Sequence, residues 1–242
     1  MEPPKVIETL DNEFGKFTIE ELIYDNRRAR VLFAGPLHAA QSGIPLDGDT
    51  HMLFDYNQLL LKLTSEINPK SLLILGGGVL TLPTTIINTL AHTKVTVVEI
   101  NVGLIELARQ HFGFRSNPRV KIIIDDAERF MLNQRSQYDL IITDVFDNFT
   151  LPLKFRTRQF AAALAAALNP GGLVATNCIS SINSDQNSLL GQIRMSYSKA
   201  IGPVKIIKVD PSYPKEVLQN LIVVSGNKSS QVLKHEAEIN IF

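Results

Sequence analysis

Apolar positions recur along this chain in two rhythms. Short unbroken apolar runs, too short for helices, suit strands buried on both faces. They fall at Leu72–Leu75, Val95–Val98, Val120–Ile124, Leu140–Thr143 and Leu173–Thr176. Between and after them, apolar residues at helical spacing predict helices over Leu80–Leu90, Val102–Phe112, Glu128–Asn133, Phe160–Leu168 and Leu189–Ile201. Asn169-Pro170-Gly171-Gly172 stops the fourth of these. Val204–Val209 and Leu221–Val224 close the chain as two more strands. Regular alternation of strand and helix at short spacing predicts β–α–β units and an α/β fold with a doubly wound, mostly parallel, Rossmann-like sheet.

The first 49 residues have a different rhythm. Short strands alternate with turn residues: Gly15–Tyr24 and Arg28–Phe33 flank Asp25-Asn26-Arg27, which suits a hairpin, and Asp47-Gly48-Asp49 is a further turn. This predicts a small N-terminal antiparallel β unit, residues 1–49, ahead of a Rossmann-like unit, residues 50–242. Such a unit would be marginal alone and is expected to pack on the rest or on a partner. Thr50–Leu63 reads as a helix with an apolar stripe through Met52, Tyr56, Leu59 and Leu63. His51 and Asp55, four apart, would share one of its faces.

The candidate chemistry sits where strands end. Leu72–Leu75 runs into Gly76-Gly77-Gly78, then a helix, then a strand ending in Glu99. Glycines let a backbone approach a ligand closely, and an acid at the next strand's end can accept hydrogen bonds from ribose hydroxyls. Two further strands end in Asp125-Asp126-Ala127 and in Asp144, with Asp147 one turn later. Open α/β sheets bind ligands at these carboxyl ends. A solvated turn explains any one of these acids, and explains all of them at one edge poorly. Glu99 suits ribose, and Asp126 can accept from an exocyclic amine such as that of adenine. Asp144 and Asp147 are left to accept from, and deprotonate, an attacking amine, and as neighbours would titrate as a pair. A dinucleotide fits less well, because the third glycine that lets a helix approach a pyrophosphate is missing around Leu80-Thr81.

Composition narrows the field. Of 242 residues, 45% are hydrophobic and 20% charged, ordinary for a globular protein. Lys plus Arg and Asp plus Glu both number 24, so net charge gives no reason to expect a nucleic acid or membrane partner. Cys178 is the sole cysteine, which excludes an internal disulfide framework and a cysteine-rich metal site. Asp125-Asp126 without nearby His makes a poor metal site, and no metal is expected. The N-terminus lacks a signal-peptide core and no apolar run approaches a membrane span, so a cytoplasmic location is expected.

The segments LLILGGG, VVEIN, NPRVKIIIDDAERF, YDLIITDVFD and LNPGGLVATN together resemble the spermidine synthase (polyamine aminopropyltransferase) family, which shares its core with class I S-adenosylmethionine-dependent methyltransferases. The resemblance spans nearly the whole chain and is closest to a divergent bacterial spermidine synthase-like branch. It implies that Glu99 holds ribose, Asp126 reads the adenine amine, Asp144 is the general base and Asp147 helps hold a polyamine. It also implies a homodimer built through the N-terminal hairpins, and makes Leu151–Phe160 a candidate lid. Departures lie in the amine half. Val79-Leu80 stand where the family has Asp and Gly, and that Asp binds the aminopropyl amine of decarboxylated S-adenosylmethionine. Leu53 and Phe54 stand where the family has aromatic and histidine contacts to the polyamine, although Asp55 keeps an acid able to attract a cationic acceptor.

Three functions follow from these residues. One is aminopropyl transfer from decarboxylated S-adenosylmethionine to a small amine such as putrescine. Another is methyl transfer from intact S-adenosylmethionine, which Val79 would not repel. A third is a non-catalytic adenosyl-nucleoside binding protein, for which a retained acid pair has no use.

Overall fold

The computed structural model describes residues 3–49, 51–147, 150–182, 185–234 and 236. Four strands open the chain: β1 (Lys5–Asn12), β2 (Gly15–Tyr24), β3 (Arg27–Ala34) and β4 (Ala39–Pro45). They form one antiparallel sheet in sequential order. The β2–β3 turn holds Asp25 and Asn26 at φ 47° and 63°, a left-handed pair that short polar side chains tolerate and that matches the twist of a tight hairpin.

The larger part follows as α1 (Asp55–Ile67), β5 (Ser71–Leu75), α2 (Thr81–Thr89), β6 (Lys94–Glu99), α3 (Val102–His111), β7 (Val120–Ile124), α4 (Ala127–Asn133) and β8 (Tyr138–Thr143). After a 3₁₀ turn (Leu153–Arg156) come α5 (Arg158–Ala166), β9 (Leu168–Ser180), α6 (Leu189–Ala200), β10 (Val204–Lys208) and β11 (Gln219–Ser225). The seven strands form a sheet in the order β10-β11-β9-β8-β5-β6-β7. Strands β5 to β9 pair in parallel, while β11 runs antiparallel to both β9 and β10. The α/β, mostly parallel sheet with an antiparallel β unit in front is the architecture that the residue pattern predicts. Chain direction across the sheet reverses between β5 and β8, which opens a crevice at their carboxyl ends.

Strand alternation divides the core. Leu72 and Ile74 join one buried cluster and Leu73 and Leu75 the other, as a period of two requires. The first cluster takes in α1, α2 and α3, and also Ile19 of β2 and Leu32 of β3, so the small sheet shares a core with the large one. Side chains of Asn101, Asp126, Thr157 and Ser188 cap the helices that follow them.

Two elements depart from the sequence reading. The first helix begins at Asp55, since residues 51–54 lie outside it and Leu53 packs against Val31 and Phe33 instead; Thr50 lies outside the described residues. The fifth strand of the pattern extends over Leu168–Ser180, because β11 pairs with its residues 174–180. The Asn169–Gly172 stop is accommodated in this strand by a register shift against β8.

Candidate functional site

At the crevice lies a cavity of about 540 Å³, lined by residues of the glycine turn and by acids from three strand ends. Gly76, Gly77, Gly78, Glu99, Asp125, Asp126, Ala127, Asp144 and Asp147 all contribute to its wall. The topology therefore brings together residues that span some seventy positions of sequence.

The turn is glycine for steric reasons. Gly76 has φ +89°, and a Cβ there would lie 2.2 Å from the Asp144 carbonyl oxygen. A Cβ on Gly77 would meet Val97 Cγ1 at 2.6 Å. Leu80, the residue before α2, adopts φ 59° and is fully buried. This left-handed conformation costs a non-glycine residue about 1–2 kcal/mol. Val79 is 1% exposed and packs in the core, not in the cavity wall.

Glu99, at the end of β6, organises the turn. Its Oε2 accepts from the backbone N–H of Gly77 and of Gly78, each at 2.8 Å, and its Oε1 accepts from Asn101 N–H at 2.8 Å. Oε2 is thereby filled, and Oε1 keeps one lone pair for a further donor. Asp126 is similarly engaged: Oδ1 caps α4 through Arg129 N–H at 3.0 Å, and Oδ2 accepts from Lys154 Nζ at 2.6 Å. Burial works against its ionisation, but Lys154 and the backbone donors outweigh that and hold its pKa below the ordinary value. Asp125 pairs with Arg129 one helical turn on.

Asp144 lies beyond the end of β8, partly buried, with its backbone N–H on Leu75 O at 2.8 Å. Asn177 of β9 donates to its Oδ1 at 2.9 Å, and Asn220 of β11 donates to the Asn177 oxygen at 3.1 Å. This relay fixes the orientation of the carboxyl. Burial, with the Glu99 charge added, pushes its pKa to about 6 against the pull of Asn177. The neighbouring charge that raises it is Glu99, whereas the sequence reading paired it with Asp147. Asp147 sits exposed at the rim, its backbone bridged to Thr150.

Asp55 is not brought to this cavity. With α1 starting at Asp55, that residue is exposed and lines a separate hollow with Asp49 and His51. Tyr56 and Asn57 enter the cavity wall in its place. The Leu151–Phe160 segment forms a side wall through Pro152, Lys154 and Phe155. It is tied to α6 by Tyr197 Oη to Phe155 O at 3.1 Å and Ser196 Oγ to Arg156 O at 2.7 Å. Asn148 and Phe149, in the loop before it, lie outside the described residues.

The sequence reading missed Gln41, Ser42, Tyr56, Asn57, Lys154 and Asn177. Tyr56 hid in the apolar stripe of α1. Asn177 left a trace, a polar residue inside the apolar run of β9. Among the described residues no group of three or more His, Cys, Asp or Glu is placed to hold a metal ion, and no helix is long and apolar enough to cross a membrane.

Comparison with known proteins places this geometry in context. The family model for the spermine/spermidine synthase domain matches residues 53–234. A polyamine aminopropyltransferase of Serratia proteamaculans is 28% identical over an alignment of 195 positions that covers 74% of this chain and 67% of that one. The chain spans about two thirds of the length of such curated relatives. Among solved structures, a probable spermidine synthase from Corynebacterium glutamicum superposes with a TM-score of 0.77 at 24% identity, over 94% of this chain and 81% of that one. A spermidine synthase in complex with the transition state analogue AdoDATO gives 0.66 at 19% identity, covering 91% and 73%. Human Methyltransferase-like protein 13 in complex with SAH gives 0.58 at 21%, covering 74% and 87%. At these identities the structural likeness speaks to the fold.

Proposed function

The chain belongs to the spermine/spermidine synthase domain family, and from that premise we propose that it transfers an aminopropyl group from decarboxylated S-adenosylmethionine to a small amine such as putrescine. The observation that carries the reading is Asp144: a carboxyl fixed by Asn177, with its pKa raised to about 6, in one cavity with the glycine turn and Glu99. A base poised near neutrality suits proton removal from an amine better than a fully solvated carboxylate does.

In this reading Glu99 accepts a ribose hydroxyl on the lone pair left on Oε1, and Asp126 accepts from the adenine amine beside Lys154. Asp144 takes the proton of the acceptor amine as its nitrogen bonds to the carbon next to the sulfonium. The carbon–sulfur bond breaks, its electron pair stays on sulfur, and methylthioadenosine leaves. Asp147, at the rim, attracts the distal ammonium of the acceptor. No step calls for a metal.

The test is mass-spectrometric detection of methylthioadenosine and a lengthened polyamine after incubation with decarboxylated S-adenosylmethionine and putrescine or other diamines. Both products should appear, with kcat/KM falling as pH drops through about 6 because Asp144 must be ionised. One observation favours a second reading. Position 79 supplies no acid to the cavity, so intact S-adenosylmethionine would not be repelled there, and methyl transfer without methylthioadenosine would establish that alternative.

A further inference from the structure

Outside the cavity wall a row of side-chain amides runs away from Asp144. Asn177 Nδ2 donates to Asp144 Oδ1 at 2.9 Å, and Asn220 Nδ2 donates to Asn177 Oδ1 at 3.1 Å. Neither asparagine lines the cavity, and Asn177 is 1% exposed. Sheet order makes the row: β9 lies between β8 and β11, so groups from three neighbouring strands or their ends meet in line.

An asparagine amide has a donor end and an acceptor end of nearly equal shape. With its nitrogen toward Asp144, Asn177 favours the carboxylate; with its oxygen there it favours the protonated acid, which donates to it. The group on the far side decides between them. Asn220 spends a donor on the Asn177 oxygen, which leaves the nitrogen facing Asp144. Turning Asn177 alone would set nitrogen against nitrogen and oxygen against carboxylate, losing two hydrogen bonds in a buried place. Other ionisable groups act on the same carboxyl. Burial pushes its pKa up, Asn177 pulls it down and Glu99 of β6 adds to the rise, while Tyr56 comes near from α1. Glu13, Asp125, Asp126, Asp147 and Lys154 line the same cavity. A change at Asn220, outside that wall, leaves all of these in place.

We infer that Asn220 is a positioning residue, which acts through Asn177 by holding that amide with its nitrogen toward Asp144 and so fixes the carboxylate for proton removal. The inference rests on Asp144 as the base and deepens that reading. Asn220 touches neither nucleoside nor acceptor in this arrangement. It works from a strand two places away in the sheet.

The experiment titrates the Asp144 carboxyl of the full chain by carbon NMR over about pH 4–9, beside the pH profile of aminopropyl transfer. Loss of the signal in Asp144→Asn assigns it. In Asn220→Ala the midpoint should rise by about one pH unit, a tenfold change in proton affinity and the scale of one hydrogen bond to a charged group. Above that midpoint kcat should fall several-fold with KM unchanged, since position 220 stands outside the cavity wall. Asn220→Gln, which keeps a side-chain donor, should recover most of both. A packing role alone would lower Tm and move neither. An unmoved midpoint in Asn220→Ala overturns the inference whatever becomes of kcat, and so does a shift that Asn220→Gln shares in full. If Asn220→Ala does not fold, Asn220→Leu, close to asparagine in volume and without a donor, takes the same test. A midpoint that rises while the turnover profile stays that of wild type removes Asp144 as the base, and this inference falls with that reading.

Discussion

Asp144→Asn exchanges the carboxyl in the cavity for a neutral group of the same shape. Two consequences follow, and they point in opposite directions. Turnover should be abolished, since Asn cannot take the proton, while nucleoside binding through Glu99 and Asp126 stays nearly intact. Stability should rise. A carboxyl moved from 3.8 to about 6 is held less well as an anion in the fold than in the unfolded chain, by up to about 3 kcal/mol at 1.36 kcal/mol per pH unit. Asp144 is partly open to cavity solvent, which screens the charge, and about 1–2 kcal/mol is a fair expectation. For a chain of this size that raises Tm by about 3–6 °C. The sign follows from linkage: the folded pKa lies above the unfolded one, so the penalty is absent below about pH 4, grows between about pH 4 and 6, and is constant above. Thermal unfolding of both proteins at pH 8 and pH 5 checks it, with roughly half the gap remaining at pH 5. A variant no more stable than wild type at pH 8 would refute the burial argument, and one that keeps turnover would remove Asp144 as the base.

Other substitutions probe the rest of the wall. Glu99→Gln places an amide N–H₂ among three backbone donors; methylthioadenosine affinity should fall about 10–100-fold and Tm should drop, and unchanged calorimetry would detach the nucleoside from this turn. Asp126→Asn keeps the α4 cap but offers the adenine amine a weaker acceptor, so preference for methylthioadenosine over its inosine counterpart should shrink; an unaltered ratio would mean that Asp126 does not read the base. Val79→Asp puts a carboxyl at a site 1% exposed and should destabilise on the order of 3–5 kcal/mol in urea unfolding, without sharpening the choice between decarboxylated and intact nucleoside. A stable variant with sharper choice would show that position 79 reaches the cavity. Gly76→Ala, whose Cβ would press on the Asp144 carbonyl, should yield little folded protein by circular dichroism.

The chain by itself determined the alternation of elements, the two sheets, the glycine turn and the acids at the ends of β6, β7 and β8. These are local facts: a period of two or of 3.6, a turn that needs glycine, a strand that stops at a carboxylate. What depends on the meeting of distant segments was decided only in three dimensions. α1 starts five residues later than the residue pattern predicts, with Asp55 exposed and Asn57 joining Tyr56 of the apolar stripe in the cavity wall, and no local propensity sets that start. Lys154 reaches Asp126 across 28 positions and Asn177 reaches Asp144 across 33, because sheet order makes β8 and β9 neighbours and folds the segment after β8 beside α4. The raised pKa of Asp144 has the same origin. A carboxylate's type is written in the sequence, but its surroundings, and so its basicity, come from strands that pair only once the sheet has formed.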